Sequence, residues 1–198
     1  MLQVLMLIAL AYLFGSINGA YYAAKFMSGN DIRLVGSGNA GARNAGRYLG
    51  KKGFLLTLFI DVGKTLIVLT IVKKGLELNN ILLIISAVFV LVGHIWPLHL
   101  EFRGGKGVVV FLAVTLFMIP AAILIAGVVL GSGYLLFRKF TITGFFAMLT
   151  IPITSWYSGQ TWTETIGLLF MLILVLLVHI FPRKGTKPST SNNVGLKS

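Results

Sequence analysis

Two short segments hold most of the polar chemistry of this chain. The first, residues 31–52, reads DIRLVGSGNAGARNAGRYLGKK. Its glycines at 36, 38, 41, 46 and 50 let the backbone turn tightly and come close to a ligand. Between them, Ser37, Asn39 and Asn44 offer neutral hydrogen bonds, while Arg33, Arg43 and Arg47 offer planar forks that match phosphate. A loop that only set membrane topology would need charge alone, so the interleaving of Gly with Ser and Asn points to a ligand. The second segment, residues 93–110, reads GHIWPLHLEFRGGKGVVV. Gly104, Gly105 and Lys106 stand just before an apolar run, which puts free backbone N–H groups and an ammonium at a helix N-terminus, a natural anion site. The GxxxxGK[ST] phosphate loop is absent and no strand precedes the segment. His94, shortly before this loop, is a candidate for chemistry, whereas His99 reads as interfacial. Asp61 and Lys64 lie at i and i+3 inside an apolar run and read as a structural pair. Two such loops on one face imply two bound phosphates or one large polyanion. Within a hydrophobic bundle, that points to a substrate joining a phosphate to a lipid chain.

The elements that position these loops are membrane spans. A net charge of +12 on 198 residues would suit a nucleic-acid-binding domain, but 57% hydrophobic and 11% charged residues exclude that reading for the chain as a whole. A soluble domain carries about 25% charged residues, so a soluble enzyme is excluded too. With no Cys there is no disulfide framework and no Cys-ligated metal. No metal cluster is evident and no cofactor is expected. Apolar runs cover residues 2–26, 54–72, 81–98, 108–137, 140–156 and 166–181. The first is too long for the core of a secretory signal and lacks the basic residues that would precede one. As one helix, the block 108–137 would rise about 45 Å against a hydrocarbon core of about 30 Å. As two spans turning near Pro120, it gathers the basic segments 31–52, 99–106, 138–139 and 183–187 on one side, with Lys73 and Lys74 the exception. The expected fold is therefore an all-α integral membrane protein of seven transmembrane helices, N-terminus outside and C-terminus cytoplasmic. Residues 1–182 form its single polytopic domain, and residues 183–198 a disordered basic cytoplasmic tail. Tyr48, Trp96, Trp156, Tyr157 and Trp162 fit an aromatic belt.

At its two polar loops the chain resembles the bacterial acyl-phosphate:glycerol-3-phosphate acyltransferase family, the PlsY type. The matching strings are LFGSI at 13–17 with Ala20 and Tyr21 after it, DIR..GSGN.GA.N..R.LGK at 31–51, Asp61 with Lys64, and GHIWPL..EFRGGKGV at 93–108. The resemblance implies a multi-pass enzyme of the bacterial cytoplasmic (inner) membrane with its site at the cytoplasmic face. It implies acyl phosphate, glycerol 3-phosphate and the lipid bilayer as partners, with no nucleic acid, and lysophosphatidate as the product. It also implies Ser37, His94 and His179 as catalytic residues, and Asn39, Asn44, Arg47, Gly104, Gly105 and Lys106 as substrate-binding ones. The HxxxxD signature of other glycerolipid acyltransferases is absent, since nothing acidic lies five residues after His94 or His99. The chain departs from the family pattern at Arg43, where Thr is usual, and at Thr141, Gly144 and Pro182, where Ser, Ser and Asn are usual. A catalytically weak or regulatory paralog is one alternative. An anion channel or transporter is another, and would be expected to show broken helices or repeats near the bilayer midplane.

Overall fold

In the computed structural model, residues 2–75 and 80–181 are described, and all regular structure among them is helical. Pro182 and the expected tail at 183–198 lie outside the described residues. The elements are α1 (Leu2–Ser16), α2 (Gly19–Ser28), α3 (Ala42–Gly75), α4 (Asn80–Ile95), α5 (Val108–Met118), α6 (Pro120–Phe137), α7 (Phe140–Tyr157) and α8 (Trp162–Ile180), with short 3₁₀ turns at Ile32–Leu34 and Leu98–Leu100. Large apolar side chains such as Leu124, Leu135, Leu136 and Phe146 face outward. Water would penalise that surface, whereas lipid accepts it. Counting α1 and α2 as one element, six helices among the described residues are long and apolar enough to cross a bilayer.

The apolar block at 108–137 divides in two, as the distribution of basic segments around it suggested. Ile119 leaves helical geometry (φ −143°, ψ 76°), and Pro120 then opens α6, where its missing N–H costs nothing. With 11 residues, α5 is short, rising only about 16 Å. It still joins the two ends of the bundle. Val108 lies with His94 and His179 around one cavity, and Met118 lies with Lys73, Asn80 and Glu164 around another. It can do so because the segment before it is drawn into the bundle, with Gly105 and Gly107 buried.

Three boundaries differ from the sequence expectation. The first run is not one unbroken helix. Asn18 leaves helical geometry and its side chain accepts the Tyr21 N–H as the N-cap of α2. The carbonyls freed at Gly15 and Ile17 are taken by the Lys64 ammonium, which explains how a broken helix is tolerated inside a membrane. The polar segment 31–52 is a loop only as far as Gly41. Beyond it α3 begins, kinked at Gly50 (φ 72°, ψ −165°), a conformation open to glycine. The last helix starts at Trp162 because Thr161 and Glu164 form a capping box, with the Thr161 side chain on the Glu164 N–H and the Glu164 carboxylate on the Thr161 N–H.

Small residues bring α1 and α4 into backbone contact. A Cβ on Gly15 would overlap the Val90 backbone, and one on Gly93 would overlap Tyr12 O. Without a hydrophobic drive between helices in lipid, such close approach is what holds them. This pairing places His94 beside Asp61 and Lys64.

Candidate active site

The first polar loop is shaped by its own side chains. Asp31 caps the Ile32–Leu34 turn and is gripped by Arg33, with Nη2 at 2.6 Å from Oδ2 and Nε at 3.0 Å from Oδ1. Partial burial pushes the Asp31 carboxyl up, but the Arg33 guanidinium outweighs it and holds the group below its usual range. Arg33 Nη1 also donates to Leu100 O at 2.7 Å, which ties the first loop to the second. Gly36 and Gly38 turn through left-handed geometry (φ 58° and 70°). Asn44 locks that turn: its Oδ1 accepts from Ser37 N at 2.9 Å, and its Nδ2 donates to Ile32 O and Val35 O at 3.2 and 3.0 Å. Asn44 is buried and its amide is fully engaged. Among the described residues, the Ser37 hydroxyl, the Asn39 amide and the Arg47 guanidinium make no hydrogen bond to the protein, and all three line the cavity.

The second loop folds back on the end of α4. Gly104 N donates to Ile95 O and Gly105 N to His94 O, each at 3.1 Å. These two glycine N–H groups are therefore committed to the protein and not free for an anion, contrary to the sequence reading. The available backbone donors begin at Lys106 and run into the first turn of α5, whose N–H groups have no helical acceptor. The glycines serve by being small. A Cβ on Gly104 would overlap His94 O, and one on Gly105 would overlap the His94 ring nitrogen Nε2.

Behind this loop is a buried charge cluster. Lys64 Nζ lies 2.9 Å from Asp61 Oδ1 and 3.0 Å from His94 Nδ1. Asp61 Oδ1 also accepts from Gly19 N at 3.1 Å, while its Oδ2 is buried without a hydrogen-bond partner among the described residues. Across the cavity, His179 Nδ1 lies 2.8 Å from Val175 O, and the ring packs edge-on to Phe145 with centroids 5.2 Å apart.

All nine residues singled out from the sequence line one cavity of about 970 Å³. Among the described residues its lining includes five cationic side chains, Arg33, Arg43, Arg47, Arg103 and Lys106, against one acidic residue, Asp61. Both α3 and α5 begin at this cavity, so two helix N-termini add partial positive charge. The remaining wall, with Leu58, Val109, Leu112, Phe145, Met148 and Val178, is apolar. One polar half suited to two phosphates and one apolar half suited to a chain can hold a transfer between two phosphorylated molecules, one of them lipidic. Among the described residues no group of three or more His, Asp or Glu side chains is gathered for a metal ion.

Sequence reasoning missed two parts of this site. The N-terminus of α3 was hidden inside what read as a loop. The Asp61–Lys64 pair was read as self-contained, although its contact with His94 joins it to the cavity wall. The signal was present: a carboxylate and an amine in one apolar run need a third partner when both are buried. Two departures from the family pattern also meet, with Arg43 Nη1 3.3 Å from Thr141 Oγ1 and its guanidinium 5.9 Å from the Phe140 ring centroid. Gly144 lines the cavity with open space where a Cβ would stand.

Lys106 carries a pH prediction. Partial burial, and then the nearby Arg43 guanidinium, hold its ammonium below the usual lysine value. Its charge is lost as pH rises, so kcat/KM falls on the alkaline side at a lower pH than an ordinary lysine would give. Arg43→Ala moves that alkaline limb upward. A pH–rate profile of the two proteins checks this, and an unmoved limb would show that Lys106 does not govern it.

Comparison with known proteins agrees with this geometry. The glycerol-3-phosphate acyltransferase family profile matches residues 5–184. Glycerol-3-phosphate acyltransferase 1 of Desulfitobacterium hafniense (strain Y51) is 40% identical over 169 residues, covering 85% of this chain and 83% of that protein. The protein of the same name from Bacillus thuringiensis subsp. konkukian (strain 97-27) is 34% identical over 182 residues, covering 90% and 96%. The crystal structure of PlsY (YgiH), an integral membrane glycerol 3-phosphate acyltransferase, in its glycerol 3-phosphate form, superposes with a TM-score of 0.81 at 30% identity, covering 90% of this chain and 88% of that one. Its lysophosphatidic acid form superposes with a TM-score of 0.79 at 28% identity. With a multi-pass helical fold, a cavity lined by cations on one side and apolar residues on the other, and relatives matched over most of their length, this chain belongs to the glycerol-3-phosphate acyltransferase family, PlsY type.

Proposed function

We propose that this protein transfers a fatty acyl group from acyl phosphate to the 1-hydroxyl of glycerol 3-phosphate. The hydroxyl oxygen bonds to the acyl carbon, and the anhydride C–O bond breaks with its electron pair going to the phosphate oxygen. The phosphate, which ends with the hydroxyl's proton, leaves with lysophosphatidate as the other product. The observation that carries this reading is the cavity itself: five cations and two helix N-termini beside an apolar wall. Acyl phosphate is already activated, so positioning and charge neutralisation supply most of the catalysis. Ser37, Asn39 and Arg47 hold the acceptor phosphate and orient its glycerol. Lys106 and the start of α5 hold the second phosphate, with Gly104 and Gly105 shaping the loop. Asn44 fixes the loop that presents Ser37, and His94 and His179 flank the reacting groups. Purified protein in lipid, given acyl phosphate and labelled glycerol 3-phosphate, is expected to yield labelled lysophosphatidate and inorganic phosphate in equal amounts. Folded, inserted protein without turnover would move the assignment to a non-catalytic paralog.

The transporter alternative has one observation in its favour, the break between α1 and α2. Its carbonyls are closed by Lys64 and not open to an ion, so the acyltransferase reading stands ahead.

We also propose seven crossings in a bacterial cytoplasmic membrane, N-terminus outside and C-terminus cytoplasmic, with the cavity at the cytoplasmic face. From α3 to α8 the helices alternate between the two ends of the bundle, and the cavity end carries most of the basic residues. The chain has no Cys, so single cysteines are clean reporters. Placed at Lys74 and Ser158 they are expected to react with an impermeant reagent on intact cells, and at Lys52 and Phe102 to be protected. The opposite pattern would invert the orientation.

A further inference from the structure

The two histidines on the cavity are wired in opposite senses. His179 Nδ1 faces Val175 O at 2.8 Å. A carbonyl can only accept, so Nδ1 carries the proton and Nε2 offers a lone pair. His94 Nδ1 faces the Lys64 ammonium at 3.0 Å. An ammonium can only donate, so here Nδ1 keeps the lone pair and Nε2 carries the proton. The competing acceptor for a proton on His94 Nδ1 is Asp61 Oδ1, which lies 3.5 Å away, outside the N–H···O range of about 2.7–3.2 Å. That oxygen already accepts from Lys64 and from Gly19 N. Lys64 is buried and fixed by four acceptors, Gly15 O, Ile17 O, Asp61 Oδ1 and His94 Nδ1, around its three N–H groups. One N–H is therefore shared between neighbouring acceptors, and a proton on His94 Nδ1 would still face a cation. His94 Nε2 stands against Gly105 in the cavity wall and makes no hydrogen bond to the protein among the described residues.

We propose that Lys64 is a positioning residue that fixes His94 in the Nε2–H tautomer, so that His94 serves the cavity as a neutral hydrogen-bond donor to a substrate phosphate oxygen at the glycine loop. The wiring follows from this chain's own contacts, and the identity of the ligand rests on the acyltransferase reading. Of the two rings, His179 alone then presents a lone pair to the cavity. The two histidines have divided the donor and acceptor tasks between them, and the division is set by what lies behind each ring. Lys64 has no need to touch substrate to act.

The test uses the full-length protein in lipid bilayers with ring-¹⁵N histidine, which labels His94, His99 and His179. His99→Gln removes the third signal for assignment. At neutral pH, His94 is expected with its proton on Nε2 and His179 with its proton on Nδ1, and added inorganic phosphate is expected to shift the His94 Nε2–H signal. In Lys64→Met the His94 proton is expected to move to Nδ1, facing Asp61, with loss of turnover. Because that variant strands a buried carboxylate and can fail to fold, a second pair is included. His94→Phe removes a donor to an anion and should lower kcat/KM about ten- to a hundredfold. His94→Gln can turn its carbonyl to Lys64 and its amide to the cavity, and should recover most of that loss. An Nδ1–H or doubly protonated His94 in the active protein, or His94→Gln as inactive as His94→Phe, would overturn the proposal. Protein without turnover whose His94 shows the expected tautomer and responds to phosphate would support the wiring and sink the acyltransferase reading instead.

Discussion

Gly105→Ala is expected to lower kcat/KM by about a hundredfold or more while leaving the protein folded. The added methyl would overlap His94 Nε2 and stand 2.8 Å from Ala40 O. Neither neighbour can yield easily. The His94 ring is held by Lys64, and the Ala40 carbonyl accepts from the Asn18 amide at 3.0 Å. The loop itself must therefore move, and it carries Lys106 and leads into the N-terminus of α5. A misplacement near 1 Å at a reacting centre can cost about 10²-fold. Gly144→Ala is the matched control: it lines the same cavity, but its added methyl meets nothing within 4 Å, so kinetics should stay close to wild type. Steady-state rates measured at matched helix content and thermal midpoint decide the matter. Wild-type rates in Gly105→Ala would mean that the second loop is not a rigid support.

Lys106→Ala and Arg47→Ala should each cut kcat/KM about ten- to more than a hundredfold. On the proposed function each removes a charge-assisted contact to a phosphate, worth about 1.5–3 kcal/mol where water is partly excluded. The two side chains reach the cavity from different elements, Lys106 from the loop before α5 and Arg47 from the first turns of α3. Varying each substrate separately should therefore give unlike patterns, with Arg47→Ala weakening the acceptor and Lys106→Ala the donor. Lys52→Ala, an exposed cation outside the cavity, should change little. Equal small losses from all three would mean that these charges set topology only.

Much of the site was legible because its two loops are made of residue types with few other uses. Gly alternating with Ser, Asn and Arg has little to do in a topological loop, and the structure brings those residues to one cavity. The split of the long apolar block was legible too: its length left one steep span or two short ones open, and the basic segments decided for two, turning near Pro120. What escaped depends on contacts far apart in sequence. The break after Ser16 looks apolar and continuous, and is stabilised by Lys64, far along the chain. The start of α3 at Ala42 was masked by glycines and arginines that read as loop, whereas the backbone bonds to Gly41 O and the burial of Ala42 and Ala45 show it as helix. The glycine N–H groups at 104 and 105 were assigned to an anion because nothing local announces that the last carbonyls of α4 will claim them.

The ammonium of Lys64 also bears on how the chain is made. An unpaired lysine near the middle of a span resists entry into lipid by about 2.5–3.5 kcal/mol on insertion scales. Its acceptors come from α1, from the break that follows it, from its own helix at Asp61, and from His94 at the end of α4. All but the last have been synthesised by the time Lys64 emerges, so α3 need not partition alone. It can leave the insertion machinery already docked against the broken helix, with α4 completing the cluster. Docking of α3 against the broken helix, completed by α4, is thereby the arrangement in which this ammonium is never left in lipid without an acceptor.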